Sequence, residues 1–434
     1  MALGGGTFAT QNKTLPGAYI NFVSLAAASA TLSDRGIATM PLELDWGVEG
    51  EVFEVTNADF QKNSMKIFGY PYDHDKMKGL RDLFKNITTL FAYRLNDSGV
   101  KAANTYATAK FGGVRGNNLK VVIQKSVDDE SMFDVKTVLD STVVDIQTVA
   151  KADDLVANDF VTWKTASLTV TAGVALEGGT NGTVEGSAHQ TYLDKIESYS
   201  FNALGVVTTE DTIKSLYVNF CKRLRDEVGA KFKAVIYDKA ADFEGVINVK
   251  NKVTDTGVSE ASLVYWVTGV EAGCAVNKSN LNKVYDGEFT VDVDYTQAQL
   301  ITAIKSGEFT LHKVGSDVRV LEDINSLVTT SDTKGDIFKD NQTIRVIDQI
   351  ANDIAVLFNT KYLGVVPNDE AGRISLWADI VKHHEQLQDI RAIEGFSDED
   401  ITVAQGDNKK SVVVTDAVTV VNAMAKLYMT VTIA

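Results

Sequence analysis

"FNALGVVTTEDTIKSLYVNFCKRLRDEVGAKFKAVIYD", residues 201–238, decides the class of fold. The apolar run at its start reads as a strand. Thr208 or Thr209 stands where a helix cap belongs. Ile213, Leu216, Phe220, Leu224 and Val228 then recur on one helical stripe, and Gly229 stops it. "KFKAVIYD" (231–238) and "EGVINVK" (244–250) follow as strands. Strand, helix, strand in that order predicts a parallel sheet with a crossover helix.

Working outward, "DHDKMKGLRDLFKNI" (73–87) places Met77, Leu80, Leu83, Phe84 and Ile87 at helical spacing. "ASLVYWVTGVEAG" (261–273) reads as a helix and "EFTLHKVGSDVRVLEDI" (308–324) as a strand. The last hundred residues carry two long helices. Ile344, Ile347, Ile350, Ile354 and Leu357 line one, and Trp377, Ile380, Val381 and Leu387 line the other. "ITVAQGD" (401–407) and "SVVVTD" (411–416) are strands. Between about 97 and 190 the texture is different. "LKVVIQKS", "MFDVKTVLD", "VVDIQTVA", "DFVTWKTA" and "SLTVTAGVALE" are closely spaced strand candidates, and "GGTNG" (178–182) closes them as a turn. Such a run predicts a sandwich or a small barrel inserted in a larger domain.

The two ends share a feature. "AYINFV" (18–23) is a short apolar strand after the breaker Pro16-Gly17. At the other end Leu427, Met429, Val431 and Ile433 alternate with Tyr428, Thr430 and Thr432, the period of a strand with one buried face. An apolar strand without gatekeepers is an aggregation hazard in a monomer, unless it is lent to another chain. Lending to a neighbour is a heterologous contact, which closes into rings or propagates as a helix.

The 434 residues correspond to about three domains. Lys and Arg number 42 and Asp and Glu 58, a net charge of −16 that argues against nucleic-acid and anionic-membrane partners. "MALGGGTFATQNK" has neither the basic nor the apolar part of a secretory leader. No apolar run approaches the roughly 20 residues of a membrane span, so synthesis in a reducing cytoplasm is expected. Cys221 and Cys274 are too few and too far apart for a disulfide framework and are expected buried and reduced.

Reactive constellations are scarce. There is no G-x-G-x-x-G, P-loop or G-x-S-x-G pattern. His383 and His384 are neighbours on a helix, about 100° apart, so they cannot chelate one ion together and are expected in solvent. "DHD" (73–75) suits capping better than metal binding. Asp292 and Asp294, with Glu288 nearby, suit a solvated face. No catalytic, cofactor or metal residues are assigned.

The whole chain resembles the contractile-tail sheath proteins of myovirus-type phages, prophage-derived particles and R-type bacteriocins, in the form found with Gram-positive hosts. The segments carrying the resemblance occur in order. They are "GGGTF…QNKTLPGAYINF", "FGGVRGNNLKVVI" (111–123), "LEGGTNGTVEGSAHQTYLDKIESYSFNAL" (176–204), "VRVLEDINSLVT" (318–329), "IFKDNQTIRVIDQIANDIAVLFNTKYLGVVPND" (337–369) and "DAVTVVNAMAKLYMTVTIA" (416–434). The resemblance implies a structural subunit rather than an enzyme. It would stack as hexameric rings around an inner tail tube and contract from a metastable extended state, with baseplate and tail terminator proteins as further partners. Assembly in the host cytoplasm, release within an extracellular particle, and no cofactor, nucleic acid or membrane insertion are implied too.

The inter-subunit arms implied are Ala18, Tyr19, Ile20, Asn21, Phe22 and Val23 at one end. At the other they are Leu427, Tyr428, Met429, Thr430, Val431, Thr432 and Ile433. The tube contact is implied for the C-terminal domain, where helix 373–391 offers Arg373, Lys382 and Arg391. The expected fold is α+β and multidomain, with a mixed α/β core, a β-rich insertion and extended strand arms. The expected divisions are an N-terminal arm (1–24), the first part of the core (25–95), the outer insertion (96–195), the α/β core (196–335), a C-terminal helical and β part (336–420), and a linker with the last strand (421–434). The alternative from another class is an α/β enzyme with a β-sandwich accessory domain.

Overall fold

The computed structural model describes residues 32–433. They fall into two compact units. The larger comprises residues 34–348 with those from Asn422 on, and the smaller comprises 349–421 with those up to Ser33.

The larger unit opens with β1 (Ile37–Leu42), β2 (Val52–Thr56), α1 (Asn57–Phe68), α2 (Lys78–Phe84) and β3 (Thr89–Arg94). The inserted region holds β4 (Ala107–Ala109), β5 (Leu119–Lys125), β6 (Phe133–Leu139), β7 (Thr142–Val149), β8 (Val161–Trp163) and β9 (Thr171–Ala175). Then come α3 (Gly186–Ile196), β10 (Ala203–Val206), α4 (Asp211–Arg223), β11 (Lys233–Tyr237), β12 (Val246–Val249), α5 (Leu263–Gly273), α6 (Gln297–Lys305), β13 (Glu308–Phe309), β14 (Leu311–Val314) and β15 (Asp317–Val320). Helix α7 (Asn341–Leu357) starts in the larger unit and continues into the smaller one. The smaller unit adds α8 (Glu370–Asp389), β16 (Ile393–Glu394), β17 (Ile401–Gln405), β18 (Val412–Asp416) and β19 (Thr419–Val420).

Seven strands form one sheet in the order β13-β12-β11-β10-β1-β3-β2, parallel except for β2 against β3. Alternation along β11 shows why it is covered on both faces. Val235 and Tyr237 pack with Trp266, Val267 and Val270 of α5, while Ala234 and Ile236 pack with Tyr192 of α3 and Tyr217 and Cys221 of α4. Buried parallel strands need helices on both sides, and the sequence supplies them. Both cysteines are free and buried. Among the described residues no helix is long and apolar enough to cross a membrane.

Four local expectations change. Neither Thr208 nor Thr209 caps α4. The cap position is Glu210, without a side-chain hydrogen bond, and Thr208 Oγ1 instead accepts from Glu210 N at 3.1 Å. The stretch 308–324 is not one strand, because Gly315 at φ +61 turns the chain between β14 and β15. No helix was expected at 186–196, where α3 forms. Its Tyr192, Leu193 and Ile196 pack with Leu204 and Val206 of the seven-stranded sheet, and Tyr192 Oη lies 2.7 Å from Thr39 Oγ1. "DHD" caps as expected, but through His74, whose Nδ1 accepts from Lys76 N at 3.1 Å.

The insertion is a sandwich. A four-stranded sheet, β7-β6-β5-β9, and the β4–β8 pair share a core of Leu119, Val121, Ile123, Val135, Phe160, Val161 and Leu176. Two of its glycine-rich segments meet at its root. Asn117 and Gly179 exchange two 2.8 Å hydrogen bonds, and Asn181 Nδ2 donates to Asp45 Oδ1 at 2.8 Å. Arg115 Nε donates to Gly69 O at 2.6 Å, and its Nη1 and Nη2 hold both oxygens of Asp140. Gly113 sits at φ +134, and a Cβ there would stand 2.0 Å from Asp45 O, so only glycine fits. Side chains from both parts therefore fix the insertion to the α/β core.

Candidate functional site

In the larger unit, the chain leaves the smaller one near residue 34 and is fastened at once. Arg35 Nε donates to Cys274 O at 2.7 Å and its Nη2 to Glu271 O at 3.0 Å, while Gly36 N donates to Ala272 O at 2.9 Å. These three acceptors are the carbonyls that the C-terminus of α5 leaves unpaired, which a guanidinium suits. Burial and the nearby Arg345 lower the Arg35 pKa to about 10. Under it lies an ionic cluster. Arg345 Nη2 donates to Glu271 Oε2 at 2.7 Å and lies 3.4 Å from Asp323 Oδ2, and its Nη1 donates to Lys278 O at 2.7 Å. Asn341 Nδ2 and Asn280 N donate to the two oxygens of Asp323 at 3.0 and 2.8 Å. Burial pushes the Glu271 carboxyl above its usual range against the pull of Arg345.

The C-terminal segment is rooted on the next turn of α7. Asn422 Nδ2 donates to Thr343 Oγ1 at 3.0 Å and Ala423 N to Gln342 Oε1 at 2.9 Å. Beyond this the expected strand 427–433 is not formed: among the described residues no ladder holds it. Leu427 is 85% exposed and Ile433 91%, so neither side of the alternation is buried.

In the smaller unit, β17 and β18 form a two-stranded antiparallel hairpin, from Ile401↔Asp416 to Gln405↔Val412. Among the described residues both its outer edges are unpaired, and Val413 and Val414 are exposed. Helix α8 carries it, with Trp377 Nε1 donating to Ile401 O at 3.1 Å. His383 and His384 of α8 are not in solvent as expected; both are buried. His383 Nε2 lies 3.0 Å from Asp353 Oδ2, and Ser33 Oγ donates to Asp353 Oδ1 at 2.6 Å. Gln349 Nε2 donates to Asp353 Oδ2 at 2.8 Å and to Ser33 Oγ at 2.7 Å. Burial raises the Asp353 pKa, but the hydrogen bonds from His383, Ser33 and Gln349 outweigh it and hold the carboxyl below its usual range. His384 places Nδ1 3.0 Å from Ile380 O and Nε2 3.0 Å from Asp416 Oδ2, at the end of β18.

A cleft of about 1100 Å³ opens in the larger unit where the strand order reverses, beyond the ends of β1 and β10. An α/β enzyme would bind its ligand at such a switch point. Glu43, Glu185 and Glu210 line it, and neither adjoining strand end leads into a glycine-rich phosphate turn. His189 on its wall is kept neutral by burial, with a pKa lowered to about 4, and its Nδ1 lies 2.9 Å from Tyr217 Oη. Glu288, read with Asp292 and Asp294 as a solvated face, is instead gripped by Arg81 through two bonds of 2.7 and 2.8 Å.

Four family models match in succession. Residues 35–95 match the N-terminal region of tail sheath protein Gp18 domain III, and 97–181 the phage tail sheath protein beta-sandwich domain. Residues 182–326 match the phage tail sheath protein central domain, and 333–434 the phage tail sheath C-terminal domain. The phage-like element PBSX protein XkdK of Bacillus subtilis (strain 168) is 33% identical, over 99% of each chain. The chain belongs to the phage tail sheath protein family. The sheath tail protein of Desulfitobacterium hafniense superimposes with a TM-score of 0.82 at 36% identity, covering 95% of this chain and 99% of that one. The contracted helical sheath of the anti-feeding prophage shares the fold, with a TM-score of 0.57 at 12% identity over 97% of this chain and 99% of that one. The chain is a tail sheath subunit, and its family is one of structural proteins.

The expected site residues of this sheath subunit are placed as follows. Ala18, Tyr19, Ile20, Asn21, Phe22 and Val23 lie outside the described residues. Leu427 to Ile433 are exposed, and no strand among the described residues pairs with them. Arg373, Lys382 and Arg391 do not share a helix face. Arg373 and Lys382 are nine residues apart, which at about 100° per residue sets them half a turn from each other. Arg373 Nη1 folds back onto Asn368, and Arg391 lies past the end of α8 in the left-handed region at φ +60. The sequence reading missed the two buried histidines. Their signal was the carboxylates 353 and 416, which a single sequence does not pair with them.

Proposed function

We propose that this sheath subunit polymerises as stacked hexameric rings around an inner tail tube, joined by strands that each subunit lends to its neighbours. The observation that carries the reading is the C-terminal segment. It is rooted at Asn422 and Ala423, yet Leu427, Met429, Val431 and Ile433 are left in solvent. The β17–β18 hairpin, with two open edges and exposed Val413 and Val414, is the receiver in this reading. Its edges can accept one added strand each.

Magnitudes favour many connections over one strong one. Burying four apolar side chains stabilises by roughly 2 kcal/mol each. Ordering a seven-residue strand costs on the order of 1 kcal/mol per residue. One arm is therefore near balance. Cohesion comes from ladder hydrogen bonds and from several connections per subunit acting together. A lattice joined this way can change its packing while the strands stay paired, so a small free-energy difference per subunit adds up over the sheath. Contraction from a metastable extended state would then drive the tube through an envelope, with baseplate and terminator proteins at the two ends. Assembly takes place in the host cytoplasm, and the particle acts outside the cell.

Negative-stain microscopy of the purified protein and of a variant ending at Lys426 tests this. Tubes or stacked rings from the full chain, and none from the truncation, are expected. Long tubes from the truncated chain would refute the lending of the C-terminal strand.

A further inference from the structure

The smaller unit contains both Ser33, after which the chain passes into the larger unit, and the hairpin that is read above as the receiver. Two adjacent side chains of α8 reach them. His383 meets Asp353, which holds Ser33 through its other oxygen. His384 meets Asp416, the last residue of β18. The two rings are 5.4 Å apart, so one turn of helix contacts the outgoing chain through one ring and the receiving strand through the other. We propose that His383 and His384 are positioning residues of the inter-subunit connection, fixing the direction in which a subunit sends its N-terminal segment relative to the hairpin with which it receives strands. This inference rests on the strand-lending reading.

Burial alone does not explain the arrangement. Both imidazoles are almost fully enclosed, where a leucine would pack without polar cost. His384 directs Nδ1 to Ile380 O and Nε2 towards Asp416 Oδ2, each at 3.0 Å, so the ring joins its own helix to the end of β18. The charged or titratable groups facing the pair are Asp353 from α7, Asp416 from β18 and each other, with exposed Lys382 and Glu385 flanking them on α8. Each ring is matched to its own carboxylate.

The test measures the protein concentration needed for polymerisation, by light scattering at one fixed pH, beside the melting temperature of the unassembled chain. The chains compared are the full protein, Ser33→Ala, Asp416→Asn, His384→Gln and the truncation after Lys426. Ser33 and Asp416 are exposed, so their variants keep the fold even if the histidine variant does not. Ser33→Ala should need about tenfold more protein, as expected for losing a hydrogen bond to a charged group, and Asp416→Asn and His384→Gln should need more as well. The melting temperatures of the unassembled Ser33→Ala and Asp416→Asn chains should match that of the full chain, whereas a merely structural loss would lower them. If the truncation fails to assemble but the point variants match the full chain in threshold, the positioning role is overturned and strand lending stands. If the truncation assembles like the full chain, strand lending fails and this inference fails with it.

Discussion

Arg345 shows how much of this molecule depends on single buried charges. It is wholly enclosed and its partners Glu271 and Asp323 are too. Arg345→Ala would leave two carboxylates buried without their cation, a loss on the order of 3–5 kcal/mol. Urea unfolding of the unassembled chain checks this, and a loss below about 1 kcal/mol would contradict the cluster's role. His189 gives a pH signature. Its folded pKa of about 4 lies below the roughly 6.5 of an unfolded histidine, so the unfolded chain takes up the proton first. Its contribution is complete above about pH 6.5 and is lost as pH falls towards 4, by up to about 3 kcal/mol. Stability of the full chain minus that of His189→Gln, measured across this window, should fall with acid; a flat difference would contradict the burial argument. Legibility at this scale was poor for a physical reason. Neighbours such as His383 and His384 differ by about 100°, and nothing local marks which side of α8 is covered. The same step sets Arg373 and Lys382, both offered for a tube contact, half a turn apart on α8.

Elements were far more legible, because periodicity is set by the face each one buries. The stripes of α2, α7 and α8 and the strands β5, β6, β17 and β18 all fall where apolar spacing placed them. The misses were at ends and turns. Gly315 split a long apolar stretch, and α4 starts after an uncapped Glu210. The segment 427–433 is a different case. Its alternation predicts a strand, but a strand is defined by its ladder, and among the described residues none pairs with it; in the proposed reading the ladder is supplied by a neighbour. This yields a sharp expectation for the double variant Met429→Asp with Val431→Asp. Both residues are exposed, so the melting temperature of the unassembled chain should not move, while tube formation should be lost. Tubes at the unmodified chain's concentration would mean that this face of the segment is not buried in the assembly.

For the whole molecule, the βαβ unit at 201–238 predicted the α/β core, and the parallel sheet around β10 and β11 contains it. The β-rich texture predicted the insertion, and its sandwich is fastened by Arg115, Asn117 and Asn181. What composition could not supply was purpose, because a sheath has no reactive constellation to find. In the proposed reading its function lies in the open edges of the β17–β18 hairpin and the exposed segment 427–433. The central claim is that the C-terminal strand belongs to a neighbour. A cryo-electron microscopy map of the assembled tube, at a resolution that traces side chains, measures this directly. The account predicts residues 427–433 hydrogen-bonded along an open edge of the β17–β18 hairpin of an adjacent subunit. The same segment folded back onto its own subunit, or left unpaired in the tube, would contradict it.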